Sequence, residues 1–360
     1  MTTSDGLTRP TVVALVFPDR VAPIADAIRA HASSAGVPIE LREVGWIDER
    51  AVRRAKALAN RSAKWLESHE RPLDDAQRAV LAEADVLVGF ELPVGLERLS
   101  PRARFVQATA AGVAPMVGAL KCGGATIRLS SAAGLSGDKV AEFAMARLLS
   151  VWTDGRKIEA LQRARRWAPD EVDTTTVCGR TVVVVGTGGI GQAFARRAAA
   201  FDVRCVGVRR RPELGTPPGF ERVVGPDGFL GELHGADAVL LALPETKKTG
   251  HLVGAEELAA MKPGAVLCNV ARGALVDEDA LVAALTAGRL GAAVLDVTAT
   301  EPLPRRSPLW RAPNVYLSPH VANDWEPQYV EGIARLLVEN ILRDEKGEQL
   351  LNLVDLDEGY

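Results

Sequence analysis

Short apolar runs alternate with alanine-rich stretches along most of the chain, and this alternation constrains the fold more than any other feature of the sequence. Early apolar runs are TVVALVF (11–17), ADVLVGF (84–90) and RFVQAT (104–109). The first is followed by IADAIRAHASSAG (24–36), whose apolar residues recur at helical spacing. Strands that alternate with helices form parallel sheets with helices on both faces. The sequence therefore predicts an α/β fold.

A second series of strand-like runs lies between residues 181 and 320. It contains TVVVVG, VRCVGV, ADAVLLAL, GAVLCNV, AAVLDV and NVYLSP. The Gly/Ser-rich segment 120–137 separates the two series and is interpreted as a hinge or connector. We predict two doubly wound parallel-sheet domains with a boundary near Ser130. The first covers 1–130, with the helical tail 322–360 returning to it, and the second covers 131–321.

Composition excludes several classes of function. The 360 residues suffice for about two domains, and 47% of them are apolar. The net charge of −3 predicts neither nucleic acid nor an anionic membrane as a partner, so a small molecule is expected. The four cysteines lack disulfide or metal-ligand spacing, so no metal is predicted. The polar first residues and the lack of an apolar run of about 18 residues favour a cytoplasmic protein.

A glycine pattern follows the first run of the second series. Gly186, Gly188 and Gly191 follow TVVVV and open the helical stretch IGQAFARRAAAF. At such a turn the first glycine permits the tight bend, the second lets a pyrophosphate approach, and the third allows close packing of helix on strand. The helix N-terminus then faces the phosphates. An ordinary turn is the alternative, but the strand-to-helix context predicts dinucleotide binding.

Arginines occupy the end of the next strand. An acid is expected there in an NAD site, where it binds the ribose 2′-hydroxyl, whereas an arginine can pair with the 2′-phosphate of NADP. This chain has Arg209, followed by Arg210 and Arg211. We therefore expect NADP(H) to be preferred. NAD remains the alternative, with the arginines as solvated turn residues.

Several ordered motifs resemble the D-isomer-specific 2-hydroxyacid dehydrogenases, in particular glyoxylate and hydroxypyruvate reductases. These are VQATAAGV (106–113), VAEFAMARLL (140–149), LPETKKTGHLVGAEELAAMKPGA (243–265), NVARGALVDEDALVAAL (269–285), VLDVTATEPLP (294–304) and NVYLSPHVA (314–322). The resemblance runs from about residue 84 to the end of the chain. It implies a flavodoxin-like substrate domain, an inserted Rossmann-like nucleotide domain, and a homodimer formed largely through the nucleotide domains.

The resemblance also implies three catalytic residues. Arg272 would hold the substrate carboxylate and carbonyl oxygen with its planar guanidinium, a geometry that suits those groups. His320 would exchange a proton with the substrate oxygen, because imidazole titrates near neutral pH. Glu301 would orient that ring and favour its protonated form if it bonds the other ring nitrogen.

Further contacts are carried over from the same family. Backbone amides of Ala111, Gly112 and Val113 would bind the substrate carboxylate, with Arg272 and His320. The cofactor site would comprise Gly186, Gly188, Gly189, Ile190, Gly191, Arg209, Arg210, Leu243, Pro244, Thr249, Val270, Ala271 and Asp296. Asp296 would accept from the nicotinamide carboxamide. Each of these residues alone could be an ordinary loop or strand-end residue.

Some positions depart from the family pattern. Thr298 stands where an aromatic residue commonly follows Asp-Val, and Asn323, Asp324 and Trp325 follow Pro-His-Val-Ala where a small residue is usual. Trp325 could form an apolar wall or anchor the tail helix. The predicted function is reduction of a small 2-oxo acid by NADPH. The alternatives are an NAD-dependent enzyme for a bulkier acid and a nucleotide-sensing binding protein without turnover.

Overall fold

The computed structural model describes residues 9–17, 22–58, 61–123, 127–246, 248–323 and 326–359. Its strands are β1 Thr11–Val16, β2 Ile39–Val44, β3 Val86–Gly89, β4 Phe105–Ala108, β5 Arg128–Ser130, β6 Thr181–Val185, β7 Arg204–Val208, β8 Arg222–Val224, β9 Ala238–Leu241, β10 Val266–Asn269, β11 Ala292–Leu295 and β12 Val315–Leu317. Its helices are α1 Ala22–Ala35, α2 Arg50–Leu58, α3 Ala63–His69, α4 Asp75–Glu83, α5 Leu96–Leu99, α6 Ala114–Gly123, α7 Gly137–Trp152, α8 Gly155–Arg163, α9 Gly189–Ala199, α10 Phe229–Leu233, α11 Ala255–Ala260, α12 Glu278–Thr286 and α13 Pro327–Glu345.

The chain divides into two compact units. The first comprises Met1–Leu135 and Trp325–Tyr360, and the second comprises Ser136–Asp324. The first unit contains a five-stranded sheet in the order β2-β1-β3-β4-β5, and the second contains a seven-stranded sheet in the order β12-β11-β10-β9-β6-β7-β8. All strand pairs in both sheets are parallel. These are two doubly wound α/β sheets of the flavodoxin-like and Rossmann-like orders, and the predicted fold class is confirmed.

Helices cover both faces of the first sheet, which explains why β1, β3 and β4 are buried throughout and mostly apolar. Ile24 and Ile28 of α1 share one buried cluster with Ile333 and Leu337 of α13. The other face packs against α2 and α6. The tail helix is tied to this sheet by the buried Asn340, whose Nδ2 lies 3.0 Å from Gln107 Oε1 and 3.0 Å from Ser130 Oγ.

The second sheet is covered in the same way. Helices α7 and α9 pack together over one face, where Met145 and Phe194 are buried. Helices α10, α11 and α12 cover the other face, where Leu233, Leu258 and Leu281 are buried. None of the described helices combines the length and apolar character needed to cross a membrane.

Three strands differ from the sequence prediction. The prediction missed β2 because three of its six residues, IELREV, are charged and most are partly exposed, as suits an edge strand. It missed β8 because this edge strand has only three residues, of which none is fully buried. The segment 120–137, interpreted as a hinge or connector, in fact contains the end of α6 and all of β5.

Candidate active site

The glycine turn of the second unit joins β6 to α9. Gly186 has a φ of +104°, and a Cβ there would lie 2.3 Å from the carbonyl oxygen of Ala242. A Cβ on Gly191 would lie 2.1 Å from the carbonyl oxygen of Gly186, so the helix packs directly on the turn. Gly188 precedes the first residue of α9, and a Cβ there would meet nothing within 4 Å. The turn is tightly packed on its inner side and leaves open space before a helix N-terminus, as a pyrophosphate requires. Gly189 and Ile190 form the first turn of that helix.

The arginine cluster lies beside this turn. Parallel pairing places Val208 of β7 opposite Val185 of β6, and the amide of Gly186 donates to the carbonyl of Val208 at 2.9 Å. Arg209 is therefore next to the glycine turn, and its Nη1 donates to the carbonyl of Gly215 at 3.3 Å. Arg210 and Arg211 are exposed. Cationic side chains thus lie at the strand end where a ribose is expected to bind.

The turn after β9 forms another wall of this region. A Cβ on Gly186 would lie 3.1 Å from the Cβ of Leu243. The hydroxyl of Thr249 donates to the carbonyl of Pro244 at 3.0 Å and accepts from the amide of Thr246 at 2.7 Å. Thr249 therefore closes the turn that Leu243 and Pro244 begin.

Arg272 is held by the residue that ends β10. The buried Asn269 accepts from the amide of Ala271 at 3.0 Å and donates to the carbonyl of Arg272 at 2.8 Å. Val270 and Ala271 are buried between them. Burial lowers the pKa of the Arg272 guanidinium, and the charges of Glu245 and Glu301 act in the opposite direction. The guanidinium is thus largely desolvated, and the charges of two carboxylates act on it.

Glu301 and His320 form a pair. Oε2 of Glu301 lies 3.0 Å from Nδ1 of His320, the contact expected from the sequence. The backbone of His320 has a φ of +56°, and its amide donates to the carbonyl of Asp296 at 2.8 Å. The His320 side chain is 44% exposed and that of Glu301 is 28% exposed. The carboxylate therefore orients one ring nitrogen, and the ring remains accessible for chemistry at the other.

Asp296 organises the loop that carries this histidine. Its Oδ1 accepts from the hydroxyl of Ser318 at 2.6 Å and from the amide of Val321 at 3.0 Å. Its Oδ2 accepts from the amide of Ala322 at 2.9 Å. The residue is only 2% exposed. Since a carboxylate oxygen can accept two bonds, Oδ2 retains capacity for one more donor.

In the first unit, the loop Ala111, Gly112 and Val113 follows β4 and immediately precedes α6. Ala111 is exposed, whereas Val113 is 2% exposed and anchors the start of the helix. The amides of this loop lie at a helix N-terminus, which favours anions.

Sequence reasoning missed several residues that shape the site. Asn269, Ser318 and Glu245 were not singled out, although all three lie within the family-like motifs. Nothing in their spacing distinguishes them from ordinary loop residues. Thr298 donates from its amide to Oε1 of Glu301 at 3.2 Å. Trp325, whose role was left open, lies outside the described residues.

Comparison with related proteins shows an NAD(P)-dependent oxidoreductase that acts on CH–OH groups, and the Rossmann-like sheet order and the glycine turn agree with this class. Residues 145–322 match the family model described as D-isomer specific 2-hydroxyacid dehydrogenase, NAD binding domain. A glyoxylate reductase of Thermococcus litoralis is 35% identical over 240 residues, covering 64% of this chain and 71% of that protein. The glyoxylate/hydroxypyruvate reductase A of Serratia proteamaculans is 30% identical over 304 residues, covering 82% of this chain and 90% of that protein.

A solved structure extends the similarity over nearly the whole chain. The D-isomer specific 2-hydroxyacid dehydrogenase of Xanthobacter autotrophicus Py2, in complex with NADPH and MES, is 29% identical with a TM-score of 0.76. It covers 98% of this chain and 100% of its own. The chain belongs to the D-isomer-specific 2-hydroxyacid dehydrogenase family, and its cofactor is NADP or NAD.

Proposed function

We propose that this protein reduces a small 2-oxo acid, such as glyoxylate or hydroxypyruvate, with NADPH to give the D-2-hydroxy acid. The observation that carries the proposal is the pair formed by Glu301 and His320 at 3.0 Å. An imidazole oriented through Nδ1 by a carboxylate, with its ring still accessible, is suited to proton exchange with a reacting oxygen.

The residues around the glycine turn fit a dinucleotide. Gly188 leaves open space before α9, while Gly186 and Gly191 have none for a side chain. In our proposal Gly186, Gly188, Gly189, Ile190 and Gly191 bind the pyrophosphate through backbone amides. The cofactor, when bound, supplies the hydride. Leu243, Pro244, Thr249, Val270 and Ala271 would border the rest of it, and Asp296 would accept a hydrogen bond from its carboxamide.

Arg272 and His320 divide the work at the substrate. The guanidinium of Arg272 is largely desolvated, and Asn269 holds the backbone that carries it. It binds the substrate carboxylate and carbonyl oxygen, which orients the carbonyl carbon for hydride transfer. His320 donates a proton to the carbonyl oxygen during reduction and takes it back in the reverse direction. Glu301 holds the ring and stabilises its positive charge.

The preference for NADPH rests on the cations beside the turn. Arg209 and Arg210 follow β7, where an acid would favour NAD. A guanidinium forms strong bonds with phosphate oxygens, so these arginines would bind the 2′-phosphate. The related Xanthobacter protein, solved with NADPH, is consistent with this preference.

The substrate class follows from the small set of polar groups and from the relatives. The Thermococcus and Serratia proteins are named for glyoxylate and hydroxypyruvate. In the proposal, residues 1–130 with 322–360 act as the substrate domain, where Ala111, Gly112 and Val113 bind the carboxylate, and 131–321 act as the nucleotide domain. We further propose a cytoplasmic homodimer.

A substrate panel tests the activity. We expect NADPH oxidation with glyoxylate or hydroxypyruvate, and less with 2-oxo acids that have bulkier side chains. Product chirality, measured with a D-specific enzyme, should show the D-isomer. A protein that binds NADPH and reduces none of a broad 2-oxo acid panel would instead be a nucleotide-binding sensor.

Arg209→Asp tests the cofactor preference. This change should raise the KM for NADPH about tenfold or more and lower that for NADH, because it replaces a phosphate-binding cation with a hydroxyl-binding anion. Arg204→Asp, at the opposite end of β7, is the matched control. It should leave the ratio of the KM values for NADPH and NADH unchanged. If Arg209→Asp and the wild type had the same ratio of KM values for NADPH and NADH, Arg209 would not be part of the cofactor site.

A further inference from the structure

The loop that carries Glu301 is held by contacts from the segment between Gly273 and Glu278. Glu278 is the first residue of α12, and its Oε1 accepts from the amide of Ala299 at 2.6 Å. The neighbouring peptide of Thr298 is in contact with Gly273, where a Cβ would lie 1.9 Å from the carbonyl carbon of Thr298. Two contacts from the segment that follows Arg272 therefore hold the peptides just before Glu301.

The peptides held in this way are hydrogen-bonded to the pair of Glu301 and His320. The amide of Thr298, adjacent to the Ala299 peptide, donates to Oε1 of Glu301 at 3.2 Å, and Oε2 of Glu301 lies 3.0 Å from Nδ1 of His320. A shift of the Thr298–Ala299 peptide would therefore move the carboxylate that orients the imidazole. Hydrogen-bond angles tolerate little such movement before the bond weakens.

Glu278 is not needed to begin its own helix. Asp277 is the N-cap of α12, and its Oδ1 accepts from the amides of Asp279 at 3.1 Å and Ala280 at 3.0 Å. The side chain of Glu278 instead reaches out of the helix to Ala299, 21 positions later in the chain. Its one hydrogen bond in the described structure is thus made to the loop of Glu301.

The same segment carries Arg272. It runs from Asn269, which holds Arg272, through the turn Gly273–Leu275 to Val276, which bridges to Val253, and on to Glu278. One continuous piece of chain thus positions the guanidinium and also holds the loop of the acid/base pair.

We propose that Glu278 is a positioning residue that sets the orientation of Glu301 and His320 relative to Arg272. The proposal rests on the proposed 2-oxo acid reductase function for its kinetic consequences. Glu278 touches neither substrate nor cofactor in it. The side chain acts by accepting the Ala299 amide, and an uncharged acceptor of the same length can replace it.

Kinetics of Glu278→Ala and Glu278→Gln provide the first test. The Ala variant should lower kcat with glyoxylate or hydroxypyruvate about tenfold, leave the Kd for NADPH unchanged, and increase the primary isotope effect with C4-deuterated NADPH, because proton and hydride transfer become slower. The Gln variant, which keeps an oxygen acceptor, should stay within about twofold of the wild type. Asp279→Asn, the next residue, is exposed and controls for loss of a negative charge at the helix N-terminus.

Amide hydrogen exchange tests the contact without substrate. Exchange at Ala299 should be at least about tenfold faster in Glu278→Ala than in the wild type and near normal in Glu278→Gln. If the Ala variant fails to fold, Glu278→Asp keeps the charge but is one methylene too short, and it should show the same exchange and kcat changes.

The outcomes separate the two proposals. A wild type that reduces no 2-oxo acid defeats the proposed function, while exchange at Ala299 still decides whether Glu278 holds the loop. Unchanged exchange at Ala299 in Glu278→Ala overturns the positioning role. So does an unchanged kcat in an active enzyme whose Ala299 amide has lost protection, or a Gln variant as slow as the Ala variant.

Discussion

Each unit contains a cluster of acidic and basic side chains. The cluster in the first unit is buried, whereas the cluster in the second unit is partly exposed to solvent. In the first unit the Nζ of Lys56 is fully buried and bonds to Asp48, to Glu70 at 3.3 Å and to the carbonyl of Leu92 at 2.9 Å. In the second unit the pair of Glu301 and His320 is partly exposed. A buried cation with several partners is suited to holding elements together, whereas chemistry needs a titratable group that can still reach a ligand.

The buried cluster ties together elements that are distant in sequence. Lys56 lies on α2, Asp48 precedes that helix, and Glu70 follows α3. Glu91 follows β3, and its Oε2 accepts from the amide of Asp48 at 3.2 Å. Buried charges of this kind are costly to separate because a partner left alone keeps its desolvation penalty.

The largest expected effect is at the exposed cluster. His320→Ala should lower kcat for 2-oxo acid reduction by about 10² to 10⁴-fold, because it removes the proton donor. NADPH binding, measured by fluorescence titration, should be retained. His234→Ala, at an exposed position of the same unit, is the control and should keep full activity. Comparable activity in His320→Ala and the control would show that the ring takes no part in the reaction.

Substitution of Lys56 in the buried cluster should lower the stability of the protein. Lys56→Met leaves Asp48 and Glu70 buried without their cation, so we expect the free energy of unfolding to fall by about 3–5 kcal/mol. Urea denaturation of the two proteins at pH 8 measures the difference. Lys64→Met, at an exposed position of α3, should change the free energy by less than about 0.5 kcal/mol. Similar losses in both variants would mean that burial does not set the cost.

Glu91 should make stability depend on pH. Burial raises the pKa of its carboxyl to about 7, against the lowering effect of Lys56. An unfolded glutamate titrates at about 4.3, so between about pH 4.3 and 7 the folded protein holds a proton that the unfolded chain has lost. The contribution of Glu91 to stability therefore falls as pH rises through this window.

Glu91→Gln removes that dependence. We expect the variant to be more stable than the wild type by about 3–4 kcal/mol at pH 8, with little difference at pH 4.5. Denaturant midpoints at the two pH values measure this, with Glu49→Gln at an exposed position as the control. A variant that is less stable than the wild type at pH 8 would show that the charged carboxylate is net favourable.

The smallest effect is expected at an exposed ion pair. Arg163 and Glu159 lie one turn apart on α8, with side chains 77% and 63% exposed. Arg163→Ala should lower the free energy of unfolding by no more than about 0.5 kcal/mol, and salt should reduce even that loss. Thermal unfolding at low and high salt measures the effect. A loss of more than about 1 kcal/mol in the free energy of unfolding would contradict the idea that solvent exposure determines how much an ion pair contributes to stability.

Elements of the fold with a strong local pattern were predictable. The six strand candidates between 181 and 320 all form strands, because each is a short apolar run, and all but the edge strand β12 are largely buried. The edge strands β2, β5 and β8 were not predicted. They are short or partly exposed, so hydrogen bonding to a neighbouring strand defines them more than their composition does.

The candidate site shows the same division. Motif order suggested Arg272, Glu301 and His320, and the structure brings Glu301 to His320 as the sequence implied. The hydrogen bonds that hold them in place were not predicted, although Asp296 itself had been named as a cofactor residue. Asn269 forms hydrogen bonds with its near neighbours. Glu278, in contrast, accepts from an amide 21 positions away, and Asp296 accepts from the amide of Val321 in the loop of His320. Side chains of these types occur in many loops, and the partners of Glu278 and Asp296 are distant in sequence.

By itself the sequence determined the two parallel α/β sheets, the dinucleotide turn and the residue types available for carbonyl reduction. Each of these depends on periodicity or on the conformational freedom of glycine within a few residues. Only the tertiary structure decided which carboxylates are buried with a cation and which orient the histidine. Desolvation and hydrogen bonding depend on atoms that become neighbours when the chain folds, and these set the pKa of Glu91 and the geometry at His320.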